Sequence, residues 1–294
     1  MTQTSITVGI CTYKRAHIIQ TLISVYGALS KLNQSVEVLV VDNDDKQSAK
    51  PLIERFNQSV AKPVRYVCEP NAGVTNARNR ILSETDSKWL LIIDDDEVVD
   101  KNWFKHYQAL IESSDALDGA VGPVITIYPD YVPDTIVKSG VLNRCRQQHL
   151  TPLSYGYTGN CLINMETAKQ HKLQFDMKFN RTGGEDSDFF ERLAKRGNVV
   201  WNNHSIVYEA LTKERAQLSW VYARYRQNGH SYGVRQLMRK GKRYSFYLFA
   251  SSLTKLIGHA FEYLVYHYDQ AQQVRLRCEL NRDLGRLIAL GSLK

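Results

Sequence analysis

Four consecutive carboxylates, Asp94-Asp95-Asp96-Glu97, follow directly on the apolar run Trp89-Leu90-Leu91-Ile92-Ile93. Three adjacent aspartates repel one another, and at the edge of a core they require something cationic nearby. Hard carboxylate oxygens suit Mg²⁺ or Mn²⁺, and Mg²⁺ is commonly shared between one or two carboxylates and a substrate phosphate. The plainer reading is a solvated acidic turn ahead of a helix that starts near Asn102. A second acidic strand end, Asp42-Asn43-Asp44-Asp45, follows Val36–Val41. Asp42 can accept a hydrogen bond from a base N–H or a ribose hydroxyl, and Arg78, early in a helical pattern, can pair with a phosphate. Each alone also reads as a turn residue or a solvated helix charge. A third acidic group, Glu185-Asp186-Ser187-Asp188, follows Gly183-Gly184. Acids in a first helical turn satisfy free N–H groups and the helix dipole, which is the preferred reading for Glu185 and Asp188.

The elements that must position these groups alternate in type. Ser5–Cys11 reads as a buried strand and breaks into Thr12-Tyr13-Lys14-Arg15. A helical pattern on Ile18, Ile19, Leu22, Ile23, Val25 and Tyr26 follows. Strand Val36–Val41, a helix around Ser48–Phe56, a short strand Val64–Val67 and a helix Val74–Ser83 come next. Trp89–Ile93 is short, apolar and β-branched-rich, as in a strand buried on both faces of a parallel sheet. Strand–helix repetition predicts a doubly wound α/β half with right-handed crossovers. Ligands of such sheets sit beyond the carboxyl ends of the strands, where all the groups named so far would emerge. Farther on, Asn102–Glu112 is predicted helical, and Ala120–Tyr128, Tyr157–Asn164 and Asn198–Tyr208 are predicted strands. The stretch 129–156, with Pro129, Pro133, Pro152 and basic Lys138, Arg144 and Arg146, reads as a long loop, either an acceptor-binding flap or a surface insertion.

The 294 residues, 43% hydrophobic and 23% charged, supply a globular core, and a net charge of +8 suggests an anionic partner. Cys11, Cys68, Cys145, Cys161 and Cys278 form no Cys-x-x-Cys pair, which argues against a zinc site and for a reducing cytoplasm. No signal-peptide pattern and no spanning apolar run are read. The loop after the first strand has neither a dinucleotide-binding glycine fingerprint nor a P-loop.

Four ordered motifs carry a family resemblance: Val-Gly-Ile-Cys-Thr-Tyr-Lys-Arg (8–15), Val-Val-Asp-Asn (40–43), Asn-Ala-Gly-Val-Thr-Asn-Ala-Arg-Asn (71–79) and Ile-Asp-Asp-Asp-Glu (93–97). Together, across roughly residues 5–230, the chain resembles family 2 glycosyltransferases of the bacterial exopolysaccharide, succinoglycan type. The resemblance implies the GT-A fold, a Rossmann-like nucleotide-binding α/β core with a mixed sheet, here followed by a C-terminal helical extension. It implies that Thr12, Tyr13 and Arg15 line the nucleotide, with Asp44 beside them, that Asp42 meets the uracil or ribose, and that Arg78 lies at the nucleotide. Asp94 and Asp95 would contact ribose and phosphate, and Asp96 would hold Mn²⁺ or Mg²⁺ on the diphosphate. Asp186 would be the general base, while Gly159, Asn160 and Glu185 would lie near the acceptor and donor sugars. A turn-only role for Gly159-Asn160 stands beside that.

The implied organisation is a catalytic domain over 1–215, with a nucleotide-sugar half 1–128 and an acceptor half 129–215, and a helical extension over 216–294. Trp220–Gly229, with Arg224 and Arg226, is similar to a family segment that closes over the diphosphate. His204 reads as structural. Arg235, Arg239, Lys240, Lys242 and Arg243 precede an aromatic-rich helical stretch to Tyr268. That combination suits the surface of the inner membrane on its cytoplasmic face, or a helix pair packed within the protein or a dimer; no nucleic-acid motif accompanies it. The expected activity is transfer, with inversion, from a nucleotide-sugar, a UDP-sugar by resemblance, to a hydroxyl of a surface polysaccharide or lipid-linked oligosaccharide. The rivals are a sugar-phosphate nucleotidyltransferase, which would need a glycine-rich first loop, and a non-catalytic nucleotide-sugar-binding protein.

Overall fold

The computed structural model describes residues 5–30, 36–114, 116–144, 146–180, 182–241 and 243–292, so Cys145 and Lys242 lie outside the described residues. The chain forms two compact units. One comprises Met1–Ile125, Arg144–Asn180 and Glu185–Glu209; the other comprises Thr126–Asn143, Arg181–Gly184 and Ala210–Lys294. Residues 126–143 group with Ala210 and the C-terminal helices.

The first part of the chain runs β1 (Ile6–Thr12), α1 (Ile18–Leu29), β2 (Val36–Asp42), α2 (Lys50–Asn57), β3 (Arg65–Cys68), α3 (Val74–Glu84), β4 (Trp89–Asp94), β5 (Glu97–Val99) and α4 (Trp103–Ser113). β6 (Leu117–Val121), β7 (Val124–Ile127), α5 (Asp134–Ser139), β8 (Asn160–Asn164), α6 (Met165–Gln170), α7 (Glu185–Ala194), β9 (Asn198–Trp201) and β10 (Val207–Ala210) follow. The last part holds α8 (Leu218–Lys240), α9 (Tyr244–Val265) and α10 (Gln270–Ala289). A seven-stranded mixed sheet has the order β3-β2-β1-β4-β8-β6-β9, and a three-stranded sheet the order β5-β10-β7. β1, β2, β3 and β4 are mutually parallel, whereas β8 runs antiparallel to both β4 and β6.

The central strands are apolar on both faces because both faces are covered. Ile6, Val8 and Ile10 of β1, with Leu91 and Ile93 of β4, join Ile18 and Leu22 of α1 and Trp103 of α4 in one core. Leu39 and Val41 of β2, with Leu90 and Ile92 of β4, join Ala77 and Ile81 of α3 and Phe189 and Phe190 of α7 in another. A period of two assigns alternate residues of each strand to opposite cores. In the other unit, Val132, Ile136 and Val141 pack with Leu211, Val221, Val274 and Cys278. Among the described residues no helix is long and apolar enough to cross a membrane.

Two expected strands are broken. The run 120–128 divides at Gly122-Pro123, and 198–208 divides at a turn where Asn202 Nδ2 donates to Ser205 Oγ, 2.8 Å. Asn160 stitches these breaks together. Its Oδ1 accepts from Trp103 Nε1 (2.9 Å) and Tyr107 OH (2.9 Å), and its Nδ2 donates to the carbonyls of Pro123 (2.9 Å) and Ser205 (2.6 Å). The side chain is fully buried. Asn160→Ala leaves the buried Trp103 Nε1 and Ser205 carbonyl without these bonds and removes the stitch between the two breaks, and should cost about 3 kcal/mol of unfolding free energy, read as a fall in the denaturant midpoint at unchanged slope.

Candidate active site

Strand register places the functional groups on one edge. Thr12 at the end of β1 lies opposite Asp42 at the end of β2, and Cys11 lies opposite Asp94 at the end of β4. β1 is flanked by β2 on one side and β4 on the other, so the direction of winding reverses beside it. A crevice for ligands forms at such a switch point.

Beyond Ile93, alternation of side-chain direction separates the acids. Asp94 continues the face that carries Leu90 and Ile92, toward α3 and α7, and its Oδ1 lies 3.6 Å from Arg78 Nη2. Arg78 Nη1 in turn pairs with Glu185 Oε1. Burial disfavours the Arg78 charge, but Asp94, Glu185 and Asp186 outweigh it and hold the guanidinium above its ordinary pKa. Asp95 turns the other way. Its carboxylate accepts from Thr12 Oγ1 (2.7 Å) and Arg15 Nη1 (2.9 Å), and its carbonyl accepts from Thr21 Oγ1 on α1 (2.9 Å). Arg15 Nη1 also reaches Asp96 Oδ2 at 2.8 Å. Glu97 is fully buried in β5, directly across from Glu209 of β10. Arg144 stands between them, with Nη2 2.6 Å from Glu209 Oε2 and Nη1 3.9 Å from Glu97 Oε1. Three arginines from distant segments thus meet six carboxylates, leaving an excess of negative charge. Burial accordingly raises the carboxyls of Asp95, Glu97 and Glu185 above the ordinary range.

Asp186 differs from its neighbours. It sits half-buried in the first turn of α7, which the chain enters through Gly183 (φ +72) and Gly184 (φ +96), and its Oδ1 accepts from Ser187 N at 2.6 Å. The first-turn role preferred for Glu185 gives way to its pairing with Arg78, while Asp188 bonds Arg192 Nε at 2.8 Å, one turn along the helix. Asp42 is fully buried. It accepts from Ala49 N (2.8 Å), Tyr66 OH (2.9 Å) and Asp44 N (3.2 Å), which leaves one carboxylate lone pair of about four. Asp44 Oδ2 is buried with no hydrogen-bond partner, and Lys14 Nζ stands 3.7 Å from Asp44 Oδ1. Tyr13 is exposed on the loop after β1. Gly159 lies where a Cβ would come within 2.7 Å of Glu97 Oε1 and 3.3 Å of Asp94 Oδ2, so any side chain there would displace the acids.

Three expectations need correction. Asn160 is buried with every donor and acceptor occupied, so it has no group left for a sugar. Trp220–Gly229 is part of the continuous helix α8, and Arg226 bonds Asn281 Oδ1 of α10 at 2.7 Å. Arg144, read as one basic residue of a flap, is the partner of Glu97 and Glu209; their separations of 47 and 65 residues left no local signal. His204 meets His149 edge to face (ring centroids 4.3 Å apart), consistent with a structural role. Among the described residues no three His, Cys, Asp or Glu side chains converge as a metal cage. A cation shared with a diphosphate needs only one or two carboxylates, and the hard oxygens and negative excess of the acidic turn fit that case.

This architecture, a nucleotide-binding mixed sheet with its acids beyond the strand ends, is the GT-A fold. Residues 7–169 match Glycosyl transferase family 2, and the chain belongs to that family; it is a glycosyltransferase. It is similar to the succinoglycan biosynthesis protein ExoM of Rhizobium meliloti (strain 1021), 28% identical over 231 residues, covering 78% of this chain and 74% of that one. Among solved structures it is similar to S. aureus TarS 1–349 in complex with UDP-GlcNAc, at TM-score 0.59 and 13% identity over 94% of this chain and 90% of that one. It is also similar to the mannosyltransferase PcManGT of Pyrobaculum calidifontis in complex with GDP-Man and Mn²⁺, at TM-score 0.57 and 15% identity over 98% and 75%.

Glu97 gives the site a pH signature. Its native carboxyl lies above the unfolded value of 4.5, so the native state keeps a proton that the unfolded chain has released. Stability should therefore fall as pH rises above that value. Glu97→Gln should flatten this slope, as measured by denaturation midpoints from pH 4.5 upward.

Proposed function

We propose that the enzyme is an inverting, metal-dependent glycosyltransferase that moves a sugar from a UDP-sugar to a hydroxyl of a growing surface polysaccharide or lipid-linked oligosaccharide. It would act at the cytoplasmic face of the inner membrane. The observation that carries the reading is the Asp94–Arg78–Glu185 chain, which ties the acidic end of β4 to the first turn of α7, where Asp186 stands. The family match ends at residue 169, so the assignment of Asp186 leans on this link. UDP, UDP-GlcNAc and GDP-Man with Mn²⁺ occur in the similar structures, which supports a nucleoside-diphosphate sugar as donor. Succinoglycan biosynthesis in the name of ExoM supports a saccharide acceptor.

The donor nucleoside would lie against Thr12, Tyr13, Asp42 and Asp44, where the orphaned Asp44 Oδ2 is ready to accept a hydrogen bond. Asp94 and Asp95 would face ribose and phosphate. Because Asp95 is already fixed by Thr12 and Arg15, it would act chiefly by holding the turn in shape. Asp96 would hold Mn²⁺ or Mg²⁺, which when bound offsets charge on the departing diphosphate. Asp186 would take the proton of the acceptor hydroxyl as that oxygen forms its bond to the anomeric carbon. The bond from that carbon to the phosphate oxygen breaks, its electron pair leaving with UDP. One displacement inverts the anomeric centre. Arg78, held by two carboxylates, keeps the base-bearing turn in register with the strand end.

Calorimetric titration of UDP with and without Mn²⁺ tests the division of roles. Wild type should bind UDP far better with metal, Asp96→Asn should lose that difference, and Asp186→Asn should keep it. In single-turnover assays Asp186→Asn should lower the rate by about 10²–10⁴-fold. UDP binding indifferent to metal in every variant would remove the basis for Asp96, and an active Asp186→Asn enzyme would remove the base.

A further inference from the structure

The C-terminal unit carries an apolar face that its own core does not use. At about 100° per residue, Phe246, Phe249, Leu253, Ile257, Phe261 and Leu264 of α9 share a stripe about 120° wide. All six are exposed, with Phe246 at 80%, Ile257 at 62% and Leu264 at 72%. The face that packs inward is the more polar one. It includes Leu248 and the buried Ser252, and His259, whose Nδ1 lies 2.8 Å from Asp283 Oδ2 of α10. Lys255 and Glu262, the two charged residues of α9, lie about 160–180° from the centre of the stripe. The helix is thus turned with its larger side chains outward, a patch of the sort that marks an interaction surface.

Charge selects the occupant. From Arg215 to Phe261 the sequence holds nine basic residues and no acidic one. Lys240 and Arg243, both exposed, stand just ahead of α9 at the same end as Phe246. A protein partner of ordinary composition would not account for so one-sided a field, whereas an anionic lipid surface meets both the apolar stripe and the cationic flank. We propose that α9 lies in the interfacial plane of an anionic bilayer, its stripe buried among acyl chains and its N-terminal basic residues among lipid headgroups. The proposal deepens the membrane location in that reading but needs neither donor nor metal, so vesicle binding can fail while sugar transfer stands, and the reverse.

Flotation of the full chain with vesicles tests it. Wild type should float with vesicles containing about 30% anionic phosphatidylglycerol and bind neutral phosphatidylcholine vesicles about tenfold less. Phe246→Ser/Ile257→Ser/Leu264→Ser, changing only exposed positions, should lower the bound fraction on anionic vesicles by about tenfold or more. Lys240→Glu/Arg243→Glu should weaken anionic binding and leave neutral binding as it was; about 0.5 M salt should do the same. The proposal is overturned if wild type stays unbound on anionic vesicles, or if the triple variant floats as wild type does. It is equally overturned if sedimentation in lipid-free buffer shows a wild-type dimer that the triple variant dissociates without any change in vesicle binding.

Discussion

Four adjacent carboxylates at the end of a buried strand are the constraint on which the catalytic unit depends. Left alone, they would repel one another and resist burial. The fold resolves this by dividing the four among three cations: Asp94 to Arg78, Asp95 and Asp96 to Arg15, and Glu97 to Arg144. Each arginine comes from a different element, so neutralising the acids also ties those elements together. Arg15 secures the loop after β1, Arg78 joins α3 to α7, and Arg144 fastens the segment before β8 to β10. Compensation remains incomplete, because Arg78 and Arg144 are each shared with a further acid, Glu185 or Glu209. A residual negative charge at a strand end is what a divalent cation and its diphosphate would need to find.

The direction of each acid follows from the pleat. β4 alternates its apolar residues between two cores, so Asp94 inherits the side of α3 and α7, and Asp95 the side of α1. Asp96 lies in the tight turn before β5, where Arg15 Nη1 meets its Oδ2 at 2.8 Å. One rule, a period of two continued past the end of the strand, thus gives three chemically identical residues three different environments.

Much of this was legible in the sequence because the signals were local. Apolar runs ending in acids mark β2 and β4, a third apolar run breaking at Thr12 marks β1, and strand–helix alternation marks the winding, so Asp42, Asp94 and Thr12 fall on one edge as expected. The need for a cation beside the triple aspartate was also legible. The protein meets it with its own arginines, whatever metal is added. What sequence could not convey were pairings across long separations. Arg144 with Glu97 and Glu209, and Asn160 with Trp103, Tyr107, Pro123 and Ser205, each depend on strands that break at Gly122-Pro123 and Asn202–Ser205. Read as unbroken strands, those stretches leave no place for the stitching. Arg78 was visible as a cation early in a helix, whereas its partner Glu185, 107 residues later, was not.

Charge in this chain is divided by region as well as by site. The protein has 38 basic and 30 acidic residues, and nine of the basic ones fall in the acid-free stretch 215–261. The rest of the molecule is therefore close to neutral, and the basic character of the whole cannot be assigned to the crevice at the strand ends, whose arginines are already paired with acids. The same stretch runs into the helix α9, which keeps Phe246, Phe249, Leu253, Ile257, Phe261 and Leu264 exposed. Apolar stripe and cationic flank coincide along one segment and have no counterpart around the acidic strand end. Recognition of a small anion would not require either feature. An extended anionic surface requires both, so the net charge and the exposed face of α9 point to the same partner through independent physical effects.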